Sequence, residues 1–212
     1  MRGKFITFEG PEGGGKTTQA RRLIARLQRL GQDPLYAREP GGTPTGEAIR
    51  EILQYDKAGE PICDETEVLL FAASRAQLVR HVILPALESG RFVVCDRFAD
   101  STTAYQGYGR GFSVEQMLTI NEFAIAGAQP DLTLLLDVDI SVGFQRLEER
   151  HEATASTWDR IEREERMFHE RVRQGYLALA RRWPERFRIV DATLGVDLVE
   201  EEIWGHVRRF VE

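Results

Sequence analysis

The sequence predicts an α/β domain in which a five-stranded parallel sheet is flanked by helices on both faces. Short runs rich in β-branched and aromatic residues recur as "KFITFE", "DPLYAR", "RFVVCD", "DLTLLLDV" and "FRIVDA". Amphipathic segments long enough to cross from one parallel strand to the next separate them. Several of the runs are almost wholly apolar rather than alternating, as strands covered on both faces should be. With 212 residues, of which 42% are hydrophobic, and no internal repeat or low-complexity linker, residues 1–212 are expected to form a single domain.

The elements follow in order. "KFITFE" is the first strand, and residues 10–17 come directly after it. Gly10, Pro11, Glu12, Gly13, Gly14, Gly15, Lys16 and Thr17 fill the pattern G-x-x-x-x-G-K-[ST], a phosphate-binding loop between strand and helix. Glycine lets backbone N–H groups turn inward on an anion, and the following helix adds its unpaired N-terminal donors. Lys16 can reach the β- and γ-phosphates, Thr17 can ligate Mg²⁺, and Thr18 extends the phosphate-binding set. A glycine-rich turn with a capping threonine would match the four fixed positions by chance in roughly 1% of chains of this length. Requiring a strand before and a helix after makes it rarer still.

"KTTQARRLIARLQRL" is the first crossover helix and "DPLYAR" the second strand. The polar "REPGGTPTG" around 38–46 breaks the alternation and is a candidate substrate loop. "TEVLLFAASRAQLVRHVILPALESG" reads as a long helix that is apolar over more than one face. "RFVVCD" then ends in Asp96, at the carboxyl edge of the sheet where a Mg²⁺-organising carboxylate would lie, directly or through water, with Arg97 beside it. An Asp-Arg surface pair at a strand end is the alternative. "SVEQMLTINEFAIAG" is a helix, "DLTLLLDV" the fourth strand and "SVGFQRLEER" another helix. The polar "EERHEATASTWDR" around 148–160 is expected to be a second functional loop, ahead of the last strand, "FRIVDA".

Composition limits the function. A net charge of −6 offers no general attraction to a nucleic-acid polymer or an anionic membrane, so phosphate binding must be local. Cys63 and Cys95 are far apart and suggest neither a disulfide framework nor a metal quartet. Apolar runs such as "FVVC" fall short of a spanning helix, and the start lacks a signal-peptide pattern, so a cytoplasmic protein is expected. No guanine-reading N/T-K-x-D segment is present, which argues against a GTP-dependent switch.

"FEGPEGGGKTT", "REPGGTPTGEAIR", "LLFAASRAQLV", "CDRFADSTTAYQGYGRG", "PDLTLLLDV" and "DRIE" together resemble the bacterial thymidylate kinases in order and spacing, from about Phe5 to Tyr176. The resemblance implies a P-loop kinase fold with a lid at about 146–162, and Mg²⁺-dependent transfer of the γ-phosphoryl of ATP to dTMP. It also implies a homodimer. By the same resemblance Phe71 stacks on the thymine ring and Arg75 donates to it; their spacing puts them on one helix face but would also suit a core phenylalanine and a solvated arginine. Ser101, Thr102 and Gln106 lie at positions that help recognise the ring, and Tyr105 at one that packs against the deoxyribose. Arg38, Arg50 and Arg97 match the cations on the acceptor phosphate, and Glu12 an acid near the acceptor sugar and phosphate.

Arg146, Arg150 and Arg160 sit in and around the segment that resembles the lid, whereas Arg163 and Arg166 read as part of a solvated face. Some relatives carry a catalytic arginine inside the P-loop. Here position 12 is glutamate and 13 to 15 are glycine, so the lid must supply it, and Arg160 within "DRIE" is the expected residue at the transferring phosphoryl. Phe98 stands where many relatives have tyrosine, and "HEATASTW" makes the lid long. Lys16, Arg97 and Arg160 are thus the expected catalytic cations. A kinase for another nucleotide or a deoxynucleoside, and an ATP-binding regulatory module without turnover, are the other functions compatible with a P-loop.

Overall fold

A computed structural model describes residues 2–55 and 59–211. Five parallel strands form one sheet: β1 (Phe5–Glu9), β2 (Leu35–Arg38), β3 (Val93–Asp96), β4 (Leu132–Asp137) and β5 (Phe187–Asp191), in the order β2-β3-β1-β4-β5. All five match the runs read from the sequence. β1 and β3 lie side by side, with Phe8 opposite Asp96, and the chain leaves them toward opposite edges of the sheet. The crevice beyond their carboxyl ends is the switch point at which open α/β sheets bind ligands. The P-loop and the Asp96–Arg97 pair both open into it.

Helices cover both faces. α1 (Lys16–Arg29) and α9 (Val196–Val207) bury Leu23, Leu27, Val199 and Ile203 against Ile6, Phe8, Leu134 and Val190. On the other face α3 (Asp64–Leu78) runs through a π-helical turn, Val79–Ile83, into α4 (Leu84–Glu88), packing Leu78, Val79, Ile83 and Leu87 against Phe5, Val93 and Cys95. The turn lies just before Pro85, which has no N–H to complete the helical ladder. As a whole Asp64–Glu88 is long and apolar enough to cross a membrane by length and composition, which the shorter runs did not suggest. In the fold a third of that window is buried, one face packs on the sheet, and the segment carries the buried Glu67 and Arg75.

α2 (Pro44–Tyr55) packs on α3, as does α6 (Val114–Ile125), whose first turn is capped by Ser113. The short α5 (Ala99–Thr102) widens into a π-helical stretch, Thr103–Gly109, that packs on α8 (Arg166–Arg182). α7 (Ile140–Thr154) differs from expectation. The polar segment from residue 148 does not begin as a loop, because the helix continues to Thr154 and stops at Ala155 in the left-handed conformation. His151 explains the extension: it is buried on the inner face, bonded to Ser156 through Nδ1 at 2.8 Å and to Glu162 through Nε2 at 3.1 Å.

Candidate active site

One cleft of about 1170 Å³ runs along the carboxyl edge of the sheet. Its floor is the P-loop. Gly13 has φ +70°, and a Cβ there would lie 2.1 Å from the Gly143 carbonyl, so only glycine lets the loop pass this close to α7. Gly15 caps α1 without any side-chain bond, which leaves the first N–H groups of that helix open to the cleft. Lys16 is buried and donates through Nζ to the carbonyls of Gly10 at 3.0 Å and Pro11 at 2.6 Å. Burial and the nearby Arg97 pull its pKa down to about 8. Thr17 donates to Asp96 Oδ2 at 2.5 Å, and the same oxygen accepts from Tyr36 at 3.3 Å.

Arg97 is held in a left-handed conformation, φ 69°, by the turn leaving β3. Its guanidinium reaches the Gly10 carbonyl and pairs with Glu12 Oε1 at 2.5 Å, which also accepts from Tyr105 at 2.7 Å. Burial would raise the Glu12 pKa, but Arg97 and Lys16 hold it down at about 2. Glu9, not singled out in the sequence, fixes this turn. One of its oxygens accepts from the Phe98 N–H at 2.8 Å, the other from Ser101 at 2.6 Å and Tyr176 at 3.0 Å. Burial and the adjacent Asp100 raise its pKa to about 7. A glutamate that ends a buried strand was the only sequence signal for it.

The same cleft carries a second set of cations. Arg38 pairs with Glu47 at 2.7 Å and Arg50 donates to the Pro40 carbonyl at 2.9 Å, beside a cis Glu39–Pro40 bond. Burial and the neighbouring Arg38 push the Arg50 pKa down, although Glu47 acts in the other direction. Phe71, Thr102, Tyr105 and Gln106 line the cleft as well, as do Ser101 and Thr18.

Arg75 is not on the cleft wall. Its side chain is 1% exposed and lies one layer behind, bonded to Glu39, Asn121, the Phe98 carbonyl and Thr102. One Glu39 oxygen has no hydrogen-bond partner among the described residues, and burial raises its carboxyl pKa to about 7 despite Arg75.

The lid arginines divide. Arg146 donates to the carbonyls of Ala192 and Gly13, at 2.7 and 3.5 Å, and Arg150 pairs with Glu162 at 2.6 Å; both line the cleft. Arg160 does not line it. It pairs with Glu67 and donates to the Leu53 carbonyl at 2.9 Å, tying the lid to α2 and α3 rather than to the P-loop. The expected position at the transferring phosphoryl is therefore not where this side chain lies, because a buried carboxylate holds it elsewhere.

Thr17 and Asp96 form an oxygen pair suited to a hard divalent cation that keeps most of its waters. No larger cluster of three or more His, Cys, Asp or Glu gathers among the described residues. A cleft lined by cations at the P-loop and by a second set, Arg38 and Arg50, suits a transfer between two phosphorylated molecules. The family model described as Thymidylate kinase matches residues 8–203.

The chain belongs to the thymidylate kinase family.

The thymidylate kinase of Thermomicrobium roseum is 51% identical over 203 residues, covering 96% of this chain and 93% of its own. That of Deinococcus radiodurans is 51% identical over 205 residues, 97% and 96% of the two chains, and that of Solidesulfovibrio magneticus 46% over 209 residues, 98% and 100%. Membership makes this chain a nucleoside monophosphate kinase. The match continues past Tyr176, where the sequence resemblance fades, through β5 and into α9. That stretch includes Thr193, Leu194 and Val196, which form the wall of the cleft beyond the P-loop.

Proposed function

We propose that this thymidylate kinase transfers the γ-phosphoryl of ATP to dTMP, giving dTDP and ADP, with Mg²⁺ bound at Thr17 and Asp96. The reaction belongs in the cytoplasm, where both cysteines would stay reduced. The observation that carries the reading is one cleft lined both by the P-loop with Lys16 and by a second set of cations, Arg38 and Arg50. Arg97 reaches the boundary between them through the Gly10 carbonyl and Glu12.

ATP lies along Gly10–Thr18 with Lys16 on its β- and γ-phosphates, and the acceptor phosphate meets Arg38, Arg50 and Arg97. Phe71 faces the ring, Thr102 and Gln106 read its edge, and Tyr105 packs on the deoxyribose. Arg75 supports this wall through Thr102 rather than by a contact of its own in the present arrangement. Bound Mg²⁺ supplies charge neutralisation on the donor phosphates.

No general base is needed. The second pKa of a phosphomonoester is near 6, so most of the dTMP is already dianionic at neutral pH. Rate then comes from alignment and from preorganised cations. Arg150, half exposed beside the cleft, is the lid arginine able to turn onto the transferring group. Closing the lid would exclude water that otherwise competes as acceptor.

The test is ADP release with MgATP alone and then with dTMP, dUMP, AMP, CMP or thymidine. Strong stimulation by dTMP, less by dUMP and little by thymidine is expected. Stimulation by a different acceptor would overturn the pocket assignment, and stimulation by none would overturn the activity.

A further inference from the structure

Glu67 lies in the first turn of α3 and is wholly buried, yet it receives donors from separate parts of the chain. Gln106 donates through Nε2 to its Oε1 at 2.7 Å, and Arg110 donates to both oxygens at 3.0 and 2.9 Å. Arg160 of the lid pairs with Oε2. Burial alone would raise the Glu67 pKa, but hydrogen bonds from Arg110 and the charges of Arg160 and Arg110 bring it down, so the group is ionised.

An ionised carboxylate can only accept hydrogen bonds. Facing it, the Gln106 amide has one allowed orientation, with its NH₂ toward Glu67 and its carbonyl oxygen turned away. The orientation follows from the acceptor-only chemistry of the carboxylate. Gln106 lines the cleft beside Phe71 and Thr102, whereas Glu67 does not, so the end left for a bound ring is the acceptor oxygen.

That end discriminates between pyrimidines. Thymine and uracil carry an N–H at ring position 3 between two carbonyls. Cytosine has a bare, electron-rich nitrogen there. A fixed carbonyl oxygen complements the first and repels the second, whereas an amide free to rotate would accept either. We propose that Glu67 is a positioning residue for specificity: by fixing the Gln106 amide it selects acceptors whose ring carries N–H at position 3. This rests on the reading above that the Phe71–Gln106 wall takes the acceptor ring.

The experiment compares kcat/KM for dTMP and dCMP, at saturating MgATP, in the wild type, Glu67→Gln, Glu67→Asp, Gln106→Leu and the Glu67→Gln/Gln106→Leu double variant. Folding is checked by thermal melting. The wild type should prefer dTMP by about a hundredfold or more. Glu67→Gln should cut that ratio by about tenfold or more, mainly by raising KM for dTMP and lowering it for dCMP, with kcat for dTMP little changed. Gln106→Leu should lose a comparable share, and the double variant no more than either single one.

Glu67→Asp keeps a charge for both arginines but draws back from the amide, and should also lower the ratio. A folded Glu67 variant that weakens both acceptors equally and leaves the ratio intact would overturn the proposal, as would an unchanged ratio in Gln106→Leu. A wild type that does not prefer dTMP would instead overturn the acceptor assignment on which the proposal stands.

Discussion

At the scale of single residues, the cleft is built from charges kept out of water, and each has a stated consequence. Lys16 is 6% exposed, and its ammonium is held by two backbone carbonyls of its own loop. With a pKa near 8 it is still mostly charged at pH 7, and phosphate oxygens can replace those carbonyls when ATP binds. Lys16→Met should remove that interaction without a cavity. Turnover is expected to fall by roughly 10²–10³-fold, with a melting temperature equal to or above the wild type. Near-normal turnover in a steady-state assay would refute the role. Glu9 makes a pH prediction. Its folded pKa, about 7, is above the ordinary 4.5, so the folded state binds the proton more tightly than the unfolded chain does. The stability it contributes is complete below about pH 4.5 and is lost as pH rises through 7. Glu39, raised to about 7 as well, adds to the same trend. Urea unfolding at pH 5 and pH 8 should therefore show a less stable protein at pH 8, by on the order of 2 kcal/mol from Glu9. Glu9→Gln should reduce the difference to the share that Glu39 contributes, and an unaltered difference would show that the Glu9 carboxyl titrates normally. The cations of the site were legible in the sequence because each stands in a recognisable stretch. The carboxylates behind them, Glu9, Glu39 and Glu67, were not, since a lone glutamate shows no sign of the donors that reach it from tens of residues away.

At the scale of elements, the β-strands and the P-loop were legible because a parallel strand buried on both faces and a glycine-rich turn before a helix leave strong patterns. The lid was read less well. Its polar composition suggested a loop, but α7 holds its shape to Thr154 through His151 and Glu162, contacts between positions 11 residues apart that no periodicity reveals. The same geometry separates two arginines that the sequence could not. Arg150→Ala removes a cation beside the phosphate end of the cleft, so kcat should fall by roughly tenfold to a hundredfold while KM for dTMP changes little. Arg160→Ala removes a tie between the lid and Glu67, so KM for dTMP should rise with a smaller effect on kcat. The opposite pattern in the two variants would return Arg160 to the transferring phosphoryl. α7 also supports the P-loop from behind. A Cβ on Gly143 would lie 2.4 Å from the Glu12 carbonyl, and backbone cannot move aside as a flexible side chain can. Gly143→Ala should therefore destabilise the fold by roughly 1–3 kcal/mol and weaken ATP binding although it touches no nucleotide. Calorimetric binding of ATP unchanged from the wild type would show that the loop tolerates the displacement.

At the scale of the whole molecule, the described chain leaves large apolar side chains uncovered on neighbouring helices. Phe123 on α6 is 88% exposed and Leu69 on α3 is 60% exposed, and these two helices pack against each other. Their inner faces were legible as core from the sequence, but a helix apolar on more than one face is equally consistent with deep burial in a monomer. The exposed positions favour a second copy of the chain as the cover, as the family resemblance implied. A twofold interface would place α3 and α6 of each protomer against the same helices of its partner. α3 carries Phe71 toward the cleft and Glu67 and Arg75 behind it, so association would brace the acceptor wall while leaving the P-loop untouched. Phe123→Glu tests this, because a carboxylate at an 88% exposed position costs a monomer almost nothing and a buried twofold contact a great deal. Sedimentation should give a dimer for the wild type and a monomer for the variant, with an unchanged melting temperature at the lowest protein concentrations. In the monomer, KM for dTMP should rise while ATP affinity stays the same. A wild type that sediments as a monomer at full activity would leave α3 rigid by its own packing, and the acceptor wall would then need no partner.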